Sequence, residues 1–435
     1  GKPVFAWDVQ FCDVLDEGGF DIILANPPYV RQEEINRACP GYKDQLSQCF
    51  PDIFAGRADL LCYFYARAVQ LLKTGGVLVF ISSNKWFKAD YGRNLRDYLR
   101  KTCRIRQIVD FGDLPVFEDA TAYPMIFAAE RLPRDNADCP EYLIRCAEPE
   151  SLNLPYPDIR EVVRRIGVDL PASQILREDG WLLLSGDERR VFDRMRQCGI
   201  PLGEYAKDKI HYGIKTGLNE AFVIDGDTRR RLMDADPSSA EIIRPLLRGR
   251  DIEKWQPVFA DQWLICATHG TDISRYPAIR NHLLRFRERL EKRAGVGQHY
   301  QWFELQSGSE GKLGHLNGEG IVYAVISTAL NFSLKDSVTV INDKGYNINI
   351  GQDLFLLGIL NSSPASIYLR AFCPILQGAY ELRREFLAAL PIPDATSAQR
   401  KRVEDLVAEI LKAKPKARES LERELDDLVA GLYGL

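Results

Sequence analysis

The first 135 residues alternate short apolar runs with amphipathic stretches, and this alternation restricts the fold more than any other feature of the chain. Residues 21–26 (DIILAN) and 75–83 (GGVLVFISS) are apolar runs that predict buried strands, and residues 58–73 between them carry apolar side chains at helical spacing. The pattern continues with a helix over residues 91–102 and strands over residues 105–111 and 123–131. This order predicts an α/β layer, and because the last two strands are too close for a crossover helix, we expect them to be antiparallel.

The rest of the chain divides by composition into three further segments. Residues 136–179 are charged and punctuated by proline, which is typical of a linker or a domain edge. Residues 180–395 mix short helices and strands and predict a second, α+β domain. Residues 396–435 predict two amphipathic helices separated near Pro415, forming a hairpin on the second domain or, alternatively, a dimer or partner surface. Their apolar faces comprise Val403, Leu406, Val407, Ile410 and Leu411 in the first helix, and Leu421, Leu425, Leu428 and Leu432 in the second.

Composition excludes several classes of protein. The net charge of -4 and the pI near 5.9 exclude a chain coated with positive charge, but nucleic-acid binding depends on where Lys and Arg cluster. Such clusters occur at residues 244–255, 285–293 and 380–386, the middle one with interleaved acids that are typical of a solvated helix face. The ten cysteines form no CxxC pair and the five histidines are dispersed, so we expect reduced thiols and no metal site. An apolar run of about 18 residues and a secretory leader are both missing, so we expect a cytoplasmic protein without a membrane partner.

One loop stands out chemically, because Asn26-Pro27-Pro28-Tyr29 directly follows the first predicted strand, where open α/β sheets bind ligands. A nucleobase amine is a poor nucleophile until hydrogen-bond acceptors hold its hydrogens and favour a pyramidal nitrogen. Asn26 offers a side-chain carbonyl, and Pro27, with φ fixed at about −65°, presents its backbone carbonyl rigidly. Tyr29 offers an aromatic face for a base turned out of its stack. For the four residues alone, a plain turn at a strand end is the alternative.

Residues 23–30 (ILANPPYV) and 58–99 together resemble motifs IV to VI of adenine-specific DNA methyltransferases that use S-adenosylmethionine. The resemblance is closest to type IIG restriction-modification proteins and TaqI-type methyltransferases. It implies a partial class I, Rossmann-like methyltransferase domain over residues 1–135, containing motifs III to VIII but lacking its first strands. It also implies that a target recognition domain follows over residues 180–395, and that the protein serves a restriction-modification or other phage-defence system.

The resemblance assigns roles to individual residues of the first domain. Asn26 and the Pro27 carbonyl hold the target amine, and Tyr29 stacks on the flipped adenine. Residues 114–126 (LPVFEDATAYPMI) are similar to motif VIII, so Phe117 is the second wall against that base. Asp13, in CDVL, matches the motif III acid that contacts the adenine amine of the cofactor, with Val14 in the same pocket.

The second half of the chain is similar to the family's target recognition region, which implies double-stranded DNA as the partner. The similarity lies in residues 213–225, 244–255, 380–393 and 425–435. Five of its side chains suit contacts with phosphates or base edges, and for each of them a structural role is the alternative: Lys215, Thr216, Asn219, Arg248 and Arg250.

Two elements of the family have no counterpart in the sequence, namely the glycine-rich turn after the first strand and the acid after the second. We therefore expect the C-terminal part of a larger protein, inactive by itself, with weak or absent binding of S-adenosylmethionine. The strand of residues 21–26 is expected to leave an apolar sheet edge that self-associates or is covered. Two alternatives for the function are a DNA-binding specificity module without catalysis, and an RNA or protein-glutamine methyltransferase, since NPPY loops also serve planar amines there.

Overall fold

The computed structural model describes residues 5–30, 32–38, 40–112, 114–117, 123–133, 140–149, 158–178, 180–184, 186–309, 314, 317–373, 375–376 and 379–435. The chain forms two compact units, residues 1–184 and residues 185–435.

The first unit combines helices with a mixed sheet. Its helices are α1 (Trp7–Gln10), α2 (Cys12–Asp16), α3 (Gln32–Ala38), α4 (Tyr42–Cys49), α5 (Leu60–Leu71), α6 (Arg93–Thr102), α7 (Ile159–Ile166) and α8 (Ala172–Ile175). Its strands are β1 (Phe20–Ala25), β2 (Leu72–Ser83), β3 (Cys103–Asp110), β4 (Pro124–Arg131), β5 (Leu143–Ala147), β6 (Val168–Pro171), β7 (Leu176–Arg177) and β8 (Gly180–Trp181). Short 3₁₀ turns cover Lys85–Phe87 and Asp90–Gly92.

Six of these strands form one sheet in the order β1-β2-β4-β3-β5-β6. β1 and β2 are parallel and are joined by a connection that contains α5, whereas β2 and β3 both pair antiparallel with β4. The predicted succession of strands and helices over the first 135 residues is therefore confirmed, including the antiparallel final pair. The α/β class is confirmed as a mixed α/β sheet.

Strand β1 lies at one edge of this sheet, with Leu24 opposite Val79 of β2. The prediction that this apolar run is buried is wrong, because Ile22 is 63% exposed and Leu24 is 71% exposed. Burial of an apolar strand depends on what covers its face, which the composition of the strand does not encode. The exposed side chains of β1 create an apolar strip of the kind that favours pairing with another chain.

Residues of the predicted linker belong to the sheet instead. β5 pairs parallel with β3, and β6 pairs antiparallel with β5, so these segments form the second edge of the sheet. Charged and proline-rich sequence is compatible with an edge strand, since one side of such a strand faces solvent. Within the predicted linker, residues 136–139, 150–157 and 179 lie outside the described residues.

A cluster of aromatic rings fills the core between α5 and the sheet. Trp86 packs against Trp181 with ring centroids 5.3 Å apart, and against Tyr65 at 5.2 Å. The Tyr65 hydroxyl also shares a hydrogen bond of 2.7 Å with Ser82 at the end of β2. These contacts fix α5 relative to the strand ends, where the NPPY loop emerges.

The second unit contains several small sheets surrounded by helices. Its helices are α9 (Gly186–Cys198), α10 (Leu202–Tyr205), α11 (Asn219–Phe222), α12 (Gly226–Ala235), α13 (Pro277–Leu284), α14 (Arg287–Glu291), α15 (Leu354–Leu360), α16 (Ser363–Phe372), α17 (Arg384–Leu387), α18 (Ser397–Lys412) and α19 (Pro415–Tyr433). Its strands are β9 (Gly199–Pro201), β10 (Ile210–Tyr212), β11 (Val223–Asp225), β12 (Ile243–Leu247), β13 (Gln262–Ile265), β14 (Gly320–Ala324), β15 (Ile326–Ser327), β16 (Phe332–Lys335), β17 (Val340–Ile341), β18 (Gly345–Ile348), β19 (Ile375–Leu376), β20 (Ala379–Glu381) and β21 (Pro391–Pro393). Short 3₁₀ turns cover Pro237–Glu241, Gly249–Asp251 and Ile273–Arg275.

Two four-stranded sheets organise the centre of the second unit. One has the order β10-β18-β14-β16 and is antiparallel throughout, and the other has the order β11-β13-β12-β17. Buried Lys335 at the end of β16 donates hydrogen bonds of 2.7 Å to the carbonyl oxygens of Gly318, Asp336 and Thr339. The mixture of short strands and helices agrees with the predicted α+β character.

Helices α18 and α19 belong to the second unit, where α18 packs against α15 and α19. Val403 and Val407 of α18 approach Gly358 of α15 so closely that an added Cβ would lie 2.9 Å from each. The predicted face of α19 is shifted, since the structure buries Leu425, Val429 and Tyr433. Glu422 of α19 also accepts hydrogen bonds from Trp255 Nε1 and Lys254 Nζ.

Two further observations concern the whole chain. Within the described residues, no helix is both long and apolar enough to cross a membrane. The eight cysteines that the structure describes are free thiols, and Cys39 and Cys139 lie outside the described residues.

Candidate functional site

The Asn26-Pro27-Pro28-Tyr29 loop leaves the C-terminal end of β1. The Asn26 side chain is exposed, Pro27 is buried, and Tyr29 is half-buried. Because Pro27 is buried and its φ is fixed by its ring, its carbonyl has little freedom to move. An exposed amide and a fixed carbonyl therefore stand next to each other at the edge of the first unit.

Tyr29 lies against Phe117, the residue that the resemblance assigns as the second wall of the site. Their ring centroids are 6.1 Å apart and their planes are inclined by 65°, an edge-to-face arrangement. The Tyr29 hydroxyl is buried and has no hydrogen-bond partner among the described residues, and burial raises the pKa of Tyr29. A base stacked on both rings requires them to face each other, so the pair has to open when a base enters.

The C-terminal side of the loop is tied to the start of α5. The Leu60 amide donates to the Val30 carbonyl at 3.1 Å, and the Gln32 amide donates to Asp59 Oδ1 at 3.2 Å. Asp59 precedes α5 but makes no side-chain cap for that helix; its carboxylate instead serves the first amide of α3. The first amides of a helix have no partner within the helix, so Asp59 satisfies a donor that would otherwise be orphaned.

Asp59 occupies a partly buried polar environment. Burial raises the pKa of Asp59, and the hydrogen bond from the Gln32 amide opposes that rise. The buried hydroxyl of Tyr91 lies beside the carboxylate. On the other side, Lys43 Nζ donates to Gln32 Oε1 at 2.6 Å and to the Gly56 carbonyl at 2.9 Å. The residue that ends the loop is thus held through both its backbone and its side chain.

A second polar cluster lies at the ends of β2 and β3. Asn84 Nδ2 donates to both carboxylate oxygens of Asp110 at 2.9 Å, and the Gly112 amide donates to Oδ1 at 2.9 Å. Burial raises the pKa of Asp110. The backbone amide of Asn84 also donates to the backbone carbonyl of Tyr123. Tyr123 has a φ of 46°, which is unusual for a residue other than glycine. These contacts join the strand ends from which the Phe117 segment departs.

Asp13 and Val14 lie away from the loop. They belong to α2, which leads into the N-terminal end of β1, whereas the loop leaves the C-terminal end. The contact of Phe11 with Phe20, with ring centroids 5.3 Å apart, keeps this segment near the start of the strand. Asp13 is exposed and Val14 is half-buried.

The predicted DNA-contact residues of the second unit differ in accessibility. Lys215, Asn219 and Arg250 are exposed. Thr216 is only 4% exposed, and its hydroxyl donates to Asn219 Oδ1 at 2.7 Å and accepts from the Leu218 amide at 3.2 Å. These contacts favour the structural alternative for Thr216, a role in shaping its turn.

Arg248 is largely engaged within the chain. Its Nε and Nη2 atoms donate to the two carboxylate oxygens of Asp251, each at 2.8 Å, and Asp251 is 5% exposed. A bidentate pair of this kind has strong geometric preferences. Arg248 thus stabilises the 3₁₀ turn Gly249–Asp251, on which Arg250 is exposed.

Comparison with known proteins places these observations in a family context. Residues 1–117, which contain the loop and Phe117, match the family model of the Eco57I restriction-modification methylases. The chain is a relative of type II methyltransferases. It is 29% identical to the type II methyltransferase M.PaeR7I of Pseudomonas aeruginosa over 282 residues, which cover 61% of this chain and 46% of that protein. It is 22% identical to the type II methyltransferase M.BstVI of Geobacillus stearothermophilus over 450 residues, covering 96% of this chain and 73% of that protein.

The fold of this methyltransferase relative also matches a solved structure. The type IIL restriction-modification enzyme MmeI, solved in complex with DNA, has a TM-score of 0.66 and 18% sequence identity. The match covers 98% of this chain and 56% of that chain, so the similarity extends over both units. The chain spans about half the length of MmeI and of M.PaeR7I.

Sequence reasoning found the loop and Phe117 but missed the residues that hold them. Asp59 immediately precedes a largely apolar helix, which is the signal of an ordinary helix cap. Asn84 and Asp110 each follow or end an apolar strand, and polar residues at strand ends are the signal that could have identified them. No sequence signal predicts that Asp59 serves a neighbouring helix, because that contact depends on the packing of α3 against α5.

Proposed function

We propose that this chain carries the base-handling and DNA-recognition parts of an adenine-specific DNA methyltransferase of a restriction-modification or phage-defence system. The observation that supports the proposal best is the Asn26–Tyr29 loop at the end of β1, with Tyr29 in contact with Phe117 at 6.1 Å. The similarity of residues 1–117 to the Eco57I restriction-modification methylases supports it further. In the family resemblance, an Asn at the start of this loop favours adenine over cytosine.

The chemistry assigned to the loop follows from its acceptors. An adenine turned out of the duplex would place its exocyclic amine between Asn26 Oδ1 and the Pro27 carbonyl, each accepting one hydrogen. Held in this way, the nitrogen lone pair would be released from the ring and could attack the methyl carbon of the donor, whose methyl–sulfur bond would break as the carbon–nitrogen bond forms. The extra proton leaves the nitrogen after the transfer, so a strong general base is not required. Tyr29 and Phe117 would hold the base by stacking on its two faces.

S-adenosylmethionine supplies the electrophilic methyl group in this proposal. In the family resemblance Asp13 accepts a hydrogen bond from the adenine amine of the cofactor, and Val14 contacts its ring. The Asp13 carboxylate is exposed and hence able to accept, but a pocket around an exposed acid and a half-buried Val14 buries little ligand surface. We therefore expect the 435-residue chain to bind S-adenosylmethionine weakly or not at all, and to be catalytically inactive by itself. In the proposal, Asp13 and Val14 belong to a partial Rossmann-like methyltransferase domain.

Base flipping is the step that tests the proposal without requiring activity. A duplex library with randomised sequence around a fixed 2-aminopurine would first be enriched for binding to the chain. In the enriched duplexes, 2-aminopurine fluorescence should rise on binding to the wild-type chain, because the base leaves its stack. The Tyr29→Ala variant should lose this rise, whereas Tyr29→Phe, which keeps the ring, should retain it.

The outcomes separate the alternatives. Tight binding without a change in fluorescence would replace the proposal with a DNA-specificity module that does not handle bases. Preference for RNA, or for a peptide carrying glutamine, would favour the corresponding methyltransferase class instead. The exposed face of β1 supports an additional proposal, self-association of the chain along this edge, because Ile22 and Leu24 are 63% and 71% exposed.

A further inference from the structure

Three turns of the second unit meet at one place and form what we call the three-turn surface: residues 212–219, 248–251 and 342–345. The Ile214 amide donates to the Ile341 carbonyl at 2.8 Å, and the Asp343 amide donates to the Ile214 carbonyl at 3.0 Å. The Asn342 amide donates to the Leu247 carbonyl at 3.1 Å, which brings the second turn alongside. A Cβ on Gly249 would lie 2.5 Å from the Lys344 carbonyl, so glycine permits this close approach.

Each of the three turns presents one exposed cation, Lys215, Arg250 or Lys344. Among the described residues, no hydrogen bond or ion pair engages the charged ends of these side chains. Two acids lie on the same turns, but the carboxylate of Asp251 is occupied by Arg248, which leaves Asp343 as the opposing charge. The surface therefore carries an excess of positive charge that requires counterions.

Some exposed cations elsewhere in this unit lie in ion pairs instead. Arg230 pairs with Asp227, Arg289 pairs with Glu220, and Lys292 pairs with Glu288, all at exposed positions. Pairs of this kind cancel locally and contribute little to long-range attraction of an anion. Lys215, Arg250 and Lys344 differ from these paired cations, because no hydrogen bond or ion pair engages their charged ends among the described residues.

A further positive charge lies directly behind the first turn. Arg293 donates to the carbonyl oxygens of Thr216 at 2.7 Å, of Trp302 at 2.7 Å and of Glu304 at 2.9 Å. Its guanidinium also lies over the rings of Phe222 and Tyr300, at 5.3 and 5.1 Å from the centroids. Because these contacts are with dipoles and π faces, they fix the turn without neutralising the charge.

An aromatic side chain borders the cations. Tyr212 is 44% exposed and contacts Tyr346 edge to face, with ring centroids 5.0 Å apart. Tyr346 in turn stacks on buried Tyr323 at 5.3 Å with an interplanar angle of 9°. Tyr212 is consequently a rigid, partly exposed ring that loses little freedom when it packs against a sugar or a base edge.

We propose that duplex DNA docks on the three-turn surface, with Lys215, Arg250 and Lys344 on phosphates and Tyr212 against a sugar or base edge. This inference rests on the proposed function, because it names the surface through which the chain would bind DNA. Phosphate is the counterion that fits best, since three cations on separate turns match a spaced series of anions along a backbone. Lys344 and Tyr212 are the residues that the surface adds to those indicated by sequence.

Fluorescence anisotropy of a labelled duplex, measured across a series of salt concentrations, tests the inference on the full 435-residue chain. Each phosphate contact contributes about 0.9 to the slope of log affinity against log salt. The Lys344→Ala variant should therefore lower the slope by about 0.9 and weaken binding at 0.1 M salt by roughly eightfold. The Lys215→Ala, Arg250→Ala, Lys344→Ala triple variant should lower the slope by about 2.7. Tyr212→Ala should weaken binding at all salt concentrations with an unchanged slope, and Tyr212→Phe should restore it.

Arg230→Ala and Lys292→Ala are matched controls, since each removes one exposed positive charge from the same unit outside the surface. If the wild-type chain, the triple variant and the two controls all bind duplex DNA with the same affinity, the surface inference alone would be overturned. A wild-type chain with no affinity for duplex DNA would overturn the proposed function as well. A thermal unfolding midpoint equal to that of the wild-type chain in each variant would show that a loss of DNA binding does not reflect a loss of folding.

Discussion

Removing the Asp59 carboxylate should loosen the loop that we propose to handle the base. Asp59 Oδ1 accepts the Gln32 amide at 3.2 Å, and this amide is the first of α3, without a partner inside the helix. A hydrogen bond to a charged acceptor contributes about 1.5–3 kcal/mol, and a distance at the long end of the normal range points to the lower value. Because about 1.4 kcal/mol corresponds to a factor of ten, the Gln32 amide should exchange with solvent roughly tenfold faster in Asp59→Ala.

Hydrogen–deuterium exchange with residue-level fragmentation measures this effect directly and needs no enzymatic activity. Asp59→Asn keeps an oxygen acceptor without the charge, so exchange at Gln32 should rise by roughly threefold or less. Asp52→Ala removes an exposed carboxylate nearby and should leave the Gln32 amide unchanged. Equal exchange at Gln32 in the Asp59→Ala variant and in the wild-type chain would refute the reasoning, and would mean that the Val30 and Lys43 contacts hold the loop by themselves.

Two further predictions concern the edge strand and a buried cation. Replacing both Ile22 and Leu24 with Lys should shift a self-associated chain toward monomer in sedimentation velocity, because charges on an edge strand disfavour pairing; an unchanged sedimentation coefficient distribution would argue against association through this edge. Burial lowers the pKa of Lys335 from an ordinary value of 10.5 to about 8. Between pH 8 and 10.5 the unfolded chain binds more protons at Lys335 than the folded chain does. The free energy of unfolding of the wild-type chain, relative to that of Lys335→Met, should therefore rise with pH over this range, by up to roughly 3 kcal/mol. Below about pH 8 this relative stability should stay constant. Urea denaturation midpoints from pH 7 to 10 would check this, and a relative stability that falls over this range would contradict the assignment.

The strands and helices of the first unit could be predicted because each has a clear hydrophobic period. β2, α6 and β4 were found within a few residues of their observed bounds. The apolar pattern of β1 by itself predicted burial, since the same run is buried or exposed according to what lies against it; only the family resemblance led us to expect an apolar edge here. In the same way, the position of β5 beside β3 depends on a non-local pairing that charged, proline-rich sequence does not reveal.

The candidate sites show the same division between chemistry and packing. The residue types of Asn26 and Tyr29 indicated a base-handling loop, the family resemblance added Phe117, and the structure places the rings of Tyr29 and Phe117 in contact. For Thr216, hydrogen-bonding capacity was correctly recognised, but its partner is Asn219 of the same turn. Lys344 was not found by sequence reasoning, because a single lysine in a turn has no distinctive pattern until the neighbouring turns are placed beside it.

The contact between Glu422 of α19 and Trp255 has a consequence for exchanging sequence specificity between related proteins. Trp255 is fully buried and lies only four residues beyond Asp251, so the C-terminal helix supports the chain that presents Arg250. In a chimera that replaced residues 180–395 alone, the new segment would pack against the original α19. Glu422 of that helix could then lack the hydrogen-bond donor that Trp255 provides. Residues 396–435 should therefore be transplanted together with residues 180–395, the proposed recognition segment, as one unit.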